Sequence, residues 1–327
     1  MRILNPERLD AFFATIATTW DLRLPILLPD ASRAIGSFGD GPPALHGGAV
    51  LAKPTAAFFP HQGTIFTAAD GVLLEPPSPP RPLFVLGFTP RDLDCLCFID
   101  RFFADGWRDD IYFRTRQTAI IAGLSGFCGA GGSLIPPAGG NCDLELFWDH
   151  SAWLVIHYSD AGRDIAAELP DSATAAAEEL FRQLSSSPPP EEGEAVLRRA
   201  SELLRANRVP DAFWAEIGDR CIACTGCNLA CPTCTCFGVQ DWRSATRVER
   251  SRMWDSCQLD GFMREAGGHN PLGSEAERTR RRIYHKLAAD PEKWGEISCF
   301  LCGRCDAACP TGIGIVAVAR ELVARFG

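Results

Sequence analysis

Hydrophobic and polar positions along the first half of the chain predict a mixture of helices and short strands. Apolar residues recur at helical spacing over Pro6–Thr18, where the proline suits the first turn of a helix. Helical patterns also cover Phe98–Phe103 and the alanine- and glutamate-rich segment Ala173–Leu184. Short runs of β-prone apolar residues predict strands at Val50–Ala52, Pro82–Gly87, Thr118–Ala122, Leu144–Phe147 and Trp153–His157.

The second half differs, because helical patterns there alternate with loops that contain cysteine. Helices are predicted at Glu194–Asn207, Asp211–Ile217, Glu275–Ala289 and Ile313–Phe326. Between the halves, Ser185–Gly193 has three serines followed by three prolines, which cannot continue a helix and favour an extended linker. We therefore predict an α+β domain at residues 1–187 and a second, helical domain at residues 188–327.

Composition narrows the chemistry that these domains can support. The chain has 327 residues and a net charge of −9, so a polyanionic partner such as nucleic acid is not expected. It lacks both the layout of a secretory signal and a run of about 18 apolar residues, so we expect no membrane span and a cytoplasmic location with reduced thiols. Eleven of the 15 cysteines follow residue 220, and reduced thiols at this density indicate metal binding.

Eight of these cysteines form one motif that occurs twice. The first copy has Cys221, Cys224, Cys227 and Cys231 before Pro232, and the second has Cys299, Cys302, Cys305 and Cys309 before Pro310. Each copy reads C-x2-C-x2-C-x3-C-P, the spacing of bacterial ferredoxins with two clusters. Three thiolates at this spacing can surround one face of a [4Fe-4S] cubane, and small residues between them let the backbone approach its sulfides.

The fourth cysteine of each motif is predicted to bind the other cluster, because the proline after it redirects the chain. Cluster one would then be held by Cys221, Cys224, Cys227 and Cys309, and cluster two by Cys299, Cys302, Cys305 and Cys231. Residues 232–298 between the motifs are far longer than the link of a small ferredoxin and look helical. We therefore predict an α-helical ferredoxin domain with two [4Fe-4S] clusters.

Two other uses of these cysteines compete with that interpretation. A zinc-held scaffold or regulatory binding module would need four-cysteine zinc sites, which prefer C-x2-C pairs separated by a longer loop. An enzyme that uses the cysteines as catalytic thiols would need a base close to a thiol, and the sequence shows no such constellation. Metal analysis separates the zinc alternative from the iron–sulfur prediction.

Residues beyond the two motifs resemble one known family. The stretch Cys-Pro-Thr-Cys-Thr-Cys-Phe-Gly-Val-Gln-Asp at 231–241 is followed by Trp-Asp-Ser-Cys-Gln-Leu at 254–259 and Ala-Gly-Gly-His-Asn at 266–270. With the second motif after them, they resemble the dicluster iron–sulfur subunit of anaerobic sulfite reductase and the corresponding beta subunit of cytoplasmic sulfhydrogenase. The resemblance runs from about residue 215 to about residue 320, and Gly87–Leu93 and Asp109–Arg116 are also similar.

The resemblance implies an electron-transfer subunit that makes and breaks no substrate bond. Such a subunit lies between a flavoprotein that oxidises NADH or NADPH and a catalytic partner, which is either a sirohaem sulfite reductase or a nickel–iron hydrogenase. The N-terminal domain is then expected to dock neighbouring subunits. In keeping with this role, the sequence has no P-loop and no G-x-G-x-x-G after a predicted strand.

The N-terminal cysteines depart from the family pattern. Members often carry cysteines there that look like ligands of a third cluster, but Arg91 stands at the first of these positions and the later Cys-x-Cys is missing. The chain has Cys95, Cys97, Cys128 and Cys142 instead. Their irregular spacing favours four separate thiols and leaves a third iron–sulfur cluster as the alternative.

Several residues near the motifs have open roles. Cys234, Cys236 and Cys257 either support the first cluster through contacts or bind an additional group. His269 either anchors its loop or donates a hydrogen bond to a cluster. The basic stretch Arg278–Lys286 suits a solvated helix face, a contact with an acidic partner, or compensation of the negative charge of a cluster.

Overall fold

A computed structural model describes residues 1–76, 79–186 and 192–327, and it divides the chain into two compact units. The first unit takes residues 1–59 and 79–186, and the second takes residues 60–76 and 192–327. The sequence predicted a single division at 187/188 and did not anticipate that 60–76 joins the second unit. Residues 187–191 of the predicted linker lie outside the described residues.

The first unit is built on a seven-stranded mixed sheet. In chain order its strands are β1 (Arg2–Leu4), β2 (Asp21–Leu27), β3 (Arg33–Ser37), β6 (Leu83–Phe88), β7 (Ile120–Gly126), β8 (Leu144–Trp148) and β9 (Trp153–His157). They lie in the order β1-β9-β8-β7-β6-β2-β3. The four central strands β2, β6, β7 and β8 run parallel. Strands β6 and β7 are buried along their whole length, as expected for parallel strands covered on both faces.

Helices cover both faces of this sheet. The helices are α1 (Leu9–Thr19), α2 (Pro90–Ala104), α3 (Asp110–Arg116), α4 (Asp160–Ala167) and α5 (Ala175–Ser186). Helices α1 and α4 share a core with Phe84, Ala122 and Leu146, whereas α5 packs Phe181 against Phe147 and Leu154. Helix α2 starts at a capping box in which Thr89 and Asp92 bond reciprocally.

The N-terminal region is therefore mixed α/β, as the sequence predicted in its content of helices and strands. Strand β9 coincides with the predicted Trp153–His157. The predicted strand at Val50–Ala52 is wrong, because these residues form an irregular turn. The parallel order of the central strands was not predictable, because the partner of each strand is set by long-range packing rather than by local pattern.

The second unit has a helical core. Its helices are α6 (Glu192–Arg205), α7 (Asp211–Asp219), α8 (Gly226–Leu229), α9 (Glu275–Tyr284), α10 (Asp290–Trp294), α11 (Arg304–Ala307) and α12 (Ile315–Phe326), and a π-helical turn at His285–Ala289 joins α9 to α10. Leu203, Phe213, Ile283 and Val318 come from four of these helices and share one hydrophobic core. Cys221, Cys227, Cys299, Cys305 and Cys309 border this core, so the helices support both motifs.

A four-stranded antiparallel sheet completes the second unit. Its strands are β4 (Gln62–Ala69), β5 (Val72–Leu74), β10 (Phe237–Arg243) and β11 (Arg247–Trp254), in the order β10-β11-β4-β5. The expectation that residues 232–298 are helical is wrong for 237–254, which form the β10–β11 hairpin. The Ser244 side chain accepts the backbone N–H of Arg247 and closes the turn, and Arg250 pairs with Asp241 across the strands.

Candidate iron–sulfur site

The two cysteine motifs adopt the same backbone conformation. Ala223 and Thr225 have φ of 51° and 63°, and the equivalent Leu301 and Gly303 have φ of 57° and 73°. Each loop then enters a one-turn helix, α8 or α11, that carries the third cysteine. Non-glycine residues rarely take this left-handed conformation. Ala223, Thr225 and Leu301 adopt it at matching positions of the two motifs, which indicates that both loops have a strained backbone typical of a binding site.

The two loops lie against each other. Helix α8 packs on α11, and a Cβ placed on Gly226 would lie 3.4 Å from the carbonyl oxygen of Ala308. The first loop therefore lies within van der Waals distance of the end of the second motif. This approach brings the end of each motif next to the beginning of the other.

One cavity joins cysteines from both motifs. It is lined by Cys221, Cys224 and Cys227 of the first motif and by Cys309 of the second. Ile313 donates its backbone N–H to Cys309 Sγ at 3.4 Å. The cavity gathers the four residues predicted to hold cluster one, and their ligation of a cluster stays a prediction.

Cysteines of the second motif lie near Cys231 of the first. Burial is the main cause that raises the pKa of Cys299 to about 12 and that of Cys305 well above its ordinary value, and the nearby charge of Cys231 adds to both shifts. Cys302 is close enough to Cys299 to contribute in the same direction. These four residues are those predicted for cluster two.

Both motifs end in Cys-Pro-Thr, and the threonine of each copy contacts its cysteine. Thr233 Oγ1 is 3.4 Å from Cys231 Sγ, and Thr311 Oγ1 is 3.5 Å from Cys309 Sγ. Thr233 also donates its hydroxyl to the Ser298 carbonyl oxygen at 2.8 Å, which ties the end of the first motif to the start of the second. Sequence reasoning missed these threonines, although the repeat of Cys-Pro-Thr is a visible signal.

Two buried cations accompany the cysteines. Arg282 lines the cavity and is 3% exposed, and Lys286 is 4% exposed. Lys286 Nζ donates to Thr233 Oγ1 at 2.6 Å, and Arg282 Nη2 donates to the Ile313 carbonyl oxygen at 2.7 Å. Arg282 Nε and Nη1 have no hydrogen-bond partner in the part of the chain that the structure describes. A cubane with four thiolates is anionic and accepts hydrogen bonds, so this donor set fits the predicted cofactor.

Comparison with known proteins agrees with this arrangement. Residues 220–313 match the model of a 4Fe-4S dicluster domain. The chain is 30% identical over 282 residues to sulfhydrogenase 2 subunit beta of Pyrococcus furiosus, an alignment that covers 83% of this chain and 80% of the relative.

The chain belongs to the sulfhydrogenase beta-subunit family. It is an iron–sulfur electron-transfer subunit with a 4Fe-4S dicluster domain in its C-terminal part. No solved structure matches it. Within the described ranges, none of its helices has the length and apolar character needed to cross a membrane.

Two of the additional cysteines of this sulfhydrogenase-family chain form a pair. Cys236 donates a hydrogen bond to Cys257, and Asn228 Nδ2 donates to Cys257 Sγ at 3.1 Å. These bonds lower the pKa of Cys257 to about 5, with the largest effect from Cys236, and they raise the pKa of Cys236. The lowered pKa favours the thiolate form of Cys257, and the charge of Cys257 contributes to the raised pKa of Cys227 in the first motif.

Cys234 lies on the other side, next to the second predicted cluster. Its hydrogen bond to Cys231 is the main cause that lowers the pKa of Cys231, and the Lys286 charge acts in the same direction. Each predicted cluster site therefore has an additional cysteine within reach of one of its ligands. The choice between supporting contacts and ligation of a further group stays a prediction.

The four N-terminal cysteines are spread over helix α2 and two loops beside the sheet. Cys95 is buried and Cys97 is exposed, because two positions apart on a helix place them on different sides. Cys128 belongs to the core that contains Ala122, and its Sγ contacts the Ser125 carbonyl oxygen at 3.2 Å. Cys142 lies instead by Gly123, the neighbour of Ala122 that faces the other side of the sheet.

Burial raises the pKa of the Cys128 and Cys142 thiols to about 12, as it does for Cys299 of the second motif, so the raised pKa does not distinguish a separate thiol from a ligand. The structure separates Cys128 from Cys142. A third cluster at these residues stays a prediction that iron counting decides.

His269 and the basic stretch can also be placed. His269 is exposed, and its carbonyl oxygen accepts the backbone N–H of Glu265, which suits a loop anchor. The stretch Arg278–Lys286 is divided, because Arg281 is exposed while Arg282 and Lys286 are buried beside the cysteines. A uniformly solvated face is therefore wrong for this stretch.

Proposed function

We propose that the chain relays electrons through two [4Fe-4S] clusters between a flavoprotein that oxidises NADH or NADPH and a catalytic subunit of the nickel–iron hydrogenase or sulfite reductase type. The observation that carries this proposal is the cavity in which Cys309 joins the first three cysteines of the other motif. Shared ligands of this kind hold two clusters side by side, as a relay requires. The family relationship supports a role as one subunit of a larger enzyme.

The residues of the chain have distinct parts in this function. Cys221, Cys224, Cys227 and Cys309 would hold cluster one, and Cys299, Cys302, Cys305 and Cys231 would hold cluster two. Each cluster, when bound, supplies the uptake and release of one electron. The helical core excludes water from one side of both sites, within what we propose is an α-helical ferredoxin domain.

The two sites differ in access to partners. Cys224 is exposed, and Ile222 beside it is 63% exposed, whereas Cys231 and Cys305 are buried. An apolar side chain at the rim of the first site suits contact with another subunit. We assign electron exchange with one partner to this rim, and docking of neighbouring subunits to the N-terminal unit.

A test uses the anaerobic full-length chain and the flavoprotein with which it co-purifies. With NADH or NADPH, the flavoprotein should bleach the visible absorption of the chain, and the chain alone should leave the nucleotide unoxidised. A Cys309→Ser chain should accept fewer electrons from the same flavoprotein. Oxidation of the nucleotide by the chain alone, or no bleaching with any co-purifying subunit, contradicts the proposed function.

A further inference from the structure

Four charged residues recur every four positions from α9 through the π-helical turn into α10. Arg278, Arg282, Lys286 and Asp290 are all buried, with exposures of 3%, 3%, 4% and 6%. A buried charge is costly unless another charge or a hydrogen bond compensates it. The groups that pair with each of these four buried charges therefore indicate the function of the row.

The charges at the two ends of the row are paired with protein groups, although Arg278 Nε, like two nitrogens of Arg282, has no hydrogen-bond partner in the described residues. Arg278 pairs with Glu275 at 2.5 Å and donates to the Leu272 carbonyl oxygen at 2.9 Å. Asp290 accepts the Ser298 hydroxyl and lies 3.3 Å from His285 Nε2. The two middle members face the cysteines instead.

Arg282 lies between the two predicted cluster sites. Its charge interacts with Cys227 of the first site and with Cys305 of the second. Only Nη2 has a partner, so Nε and Nη1 are buried donors without an acceptor in the described part of the chain. A buried donor of this kind normally has a partner, so the geometry requires an acceptor on the cysteine side.

Lys286 lies beside the second site. Its charge interacts first with Cys231, then with Cys234, and also with Cys299. Asp290, one turn further along, lies close enough to neutralise part of this charge. Thr233 holds the ammonium group at 2.6 Å and so fixes its position beside Cys231.

We propose that Arg282 and Lys286 are positioning residues that set the reduction potentials of the two clusters, a proposal that rests on the function given above. Arg282 acts on both clusters through its charge. Its Nε–H and Nη1–H groups, which have no partner among the described protein atoms, donate hydrogen bonds to a cluster sulfide or a cysteine sulfur. Lys286 acts on cluster two. Reduction adds a negative charge, which a buried cation stabilises, so both residues raise the potential.

The test is a redox titration of the anaerobic full-length chain, followed by electron paramagnetic resonance. Arg282→Gln should lower the potentials of both clusters, and Lys286→Gln should lower that of cluster two and leave cluster one nearly unchanged. The matched control is Arg280→Gln, which removes the same charge from the same helix at a half-exposed residue paired with Asp211. It should shift neither potential appreciably.

Potentials in Arg282→Gln equal to those of Arg280→Gln overturn the proposal, as does an equal shift of both clusters in Lys286→Gln. If Arg282→Gln loses iron, Arg282→Lys replaces it, because lysine keeps the charge and loses the planar donors. The cluster potentials of Arg282→Lys should still be lower than those of Arg280→Gln. Potentials equal to those of Arg280→Gln overturn the proposal. Zinc in place of iron in the unmodified chain would instead contradict the proposed function.

Discussion

The two cysteine motifs have the same backbone and different surroundings. Both loops place left-handed residues two and four positions after their first cysteine and continue into a one-turn helix. Around the first motif, Cys224 is exposed, and Cys257 lies near Cys227. Around the second motif, Cys305 is buried, and Lys286 lies near Cys299.

The comparison shows that different residues determine the loop conformation and the environment of each site. The repeated spacing dictates the loop that can hold a cluster, whereas residues outside the repeat decide solvent access and local charge. Since access and charge tune the potential of a cluster, the two sites are expected to be alike in ligation and unlike in redox behaviour. The following variants test each half of this comparison.

Crossed ligation should give the largest effect. Cys309→Ser should remove cluster one, and Cys231→Ser should remove cluster two, each with a loss of about four irons per chain. Iron analysis and electron paramagnetic resonance measure both. If Cys309→Ser altered only the signal lost in Cys302→Ser, each motif would hold its own cluster and the crossing would be wrong.

Solvent access should make the first site the more labile. Because Cys224 and Ile222 are exposed, iron should leave cluster one before cluster two when the chain meets air and a chelator. The decay of the two resonance signals measures the order, with Cys309→Ser and Cys231→Ser chains as references for each signal. Simultaneous loss, or earlier loss of cluster two, would contradict the difference in access.

The pKa of Cys257 in the Cys236–Cys257 pair should lie well below that of an ordinary thiol. A pKa of about 5 makes Cys257 reactive toward iodoacetamide above pH 5, rather than only near its ordinary pKa of 9.0. Any stability that the thiolate adds is full above that ordinary value and is lost as pH falls through 5. Mass spectrometry of alkylated peptides across pH measures the midpoint.

Asn228→Ala is the matched variant for this titration. It removes the donor to Cys257 Sγ and should move the midpoint upward, with a smaller shift than Cys236→Ala, because Cys236 has the larger effect. An unchanged midpoint in both variants would show that Cys257 is not held as a thiolate by these groups.

The smallest effect concerns the shared backbone. Thr225→Gly should relieve about 1 kcal/mol of left-handed strain, and Gly303→Ala should add a similar cost. A Cβ on Gly303 would meet no atom within 4 Å, so the cost there is conformational. Anaerobic calorimetry should show thermal midpoints that move in opposite directions, and a decrease in both would contradict the equivalence of the loops.

The local pattern of apolar and polar residues predicted many of the helices and strands but not which strands pair with each other. The apolar stripe of α12 and the run at Trp153–His157 were readable, because periodicity reports the buried face directly. The hairpin at 237–254 could not be predicted from local pattern, because the strand that pairs with it, Gln62–Ala69, is distant in sequence. β-propensity depends on such neighbours more than helix propensity does.

The candidate site shows the same division. Cysteine spacing is a local signal, and it identified the motifs and their family. Arg282 and Lys286 were hidden in a run of basic residues, because a charged helix with one buried face looks like a solvated one until its neighbours are known. Their spacing of four positions was the available signal.

Metal and sulfide content of the anaerobically purified full-length chain tests the central claim most directly. The account predicts about eight irons and about eight acid-labile sulfides per chain, since two cubanes hold four of each. A value near twelve would add a third cluster in the N-terminal unit. Zinc without acid-labile sulfide would contradict the account and favour a zinc-held scaffold.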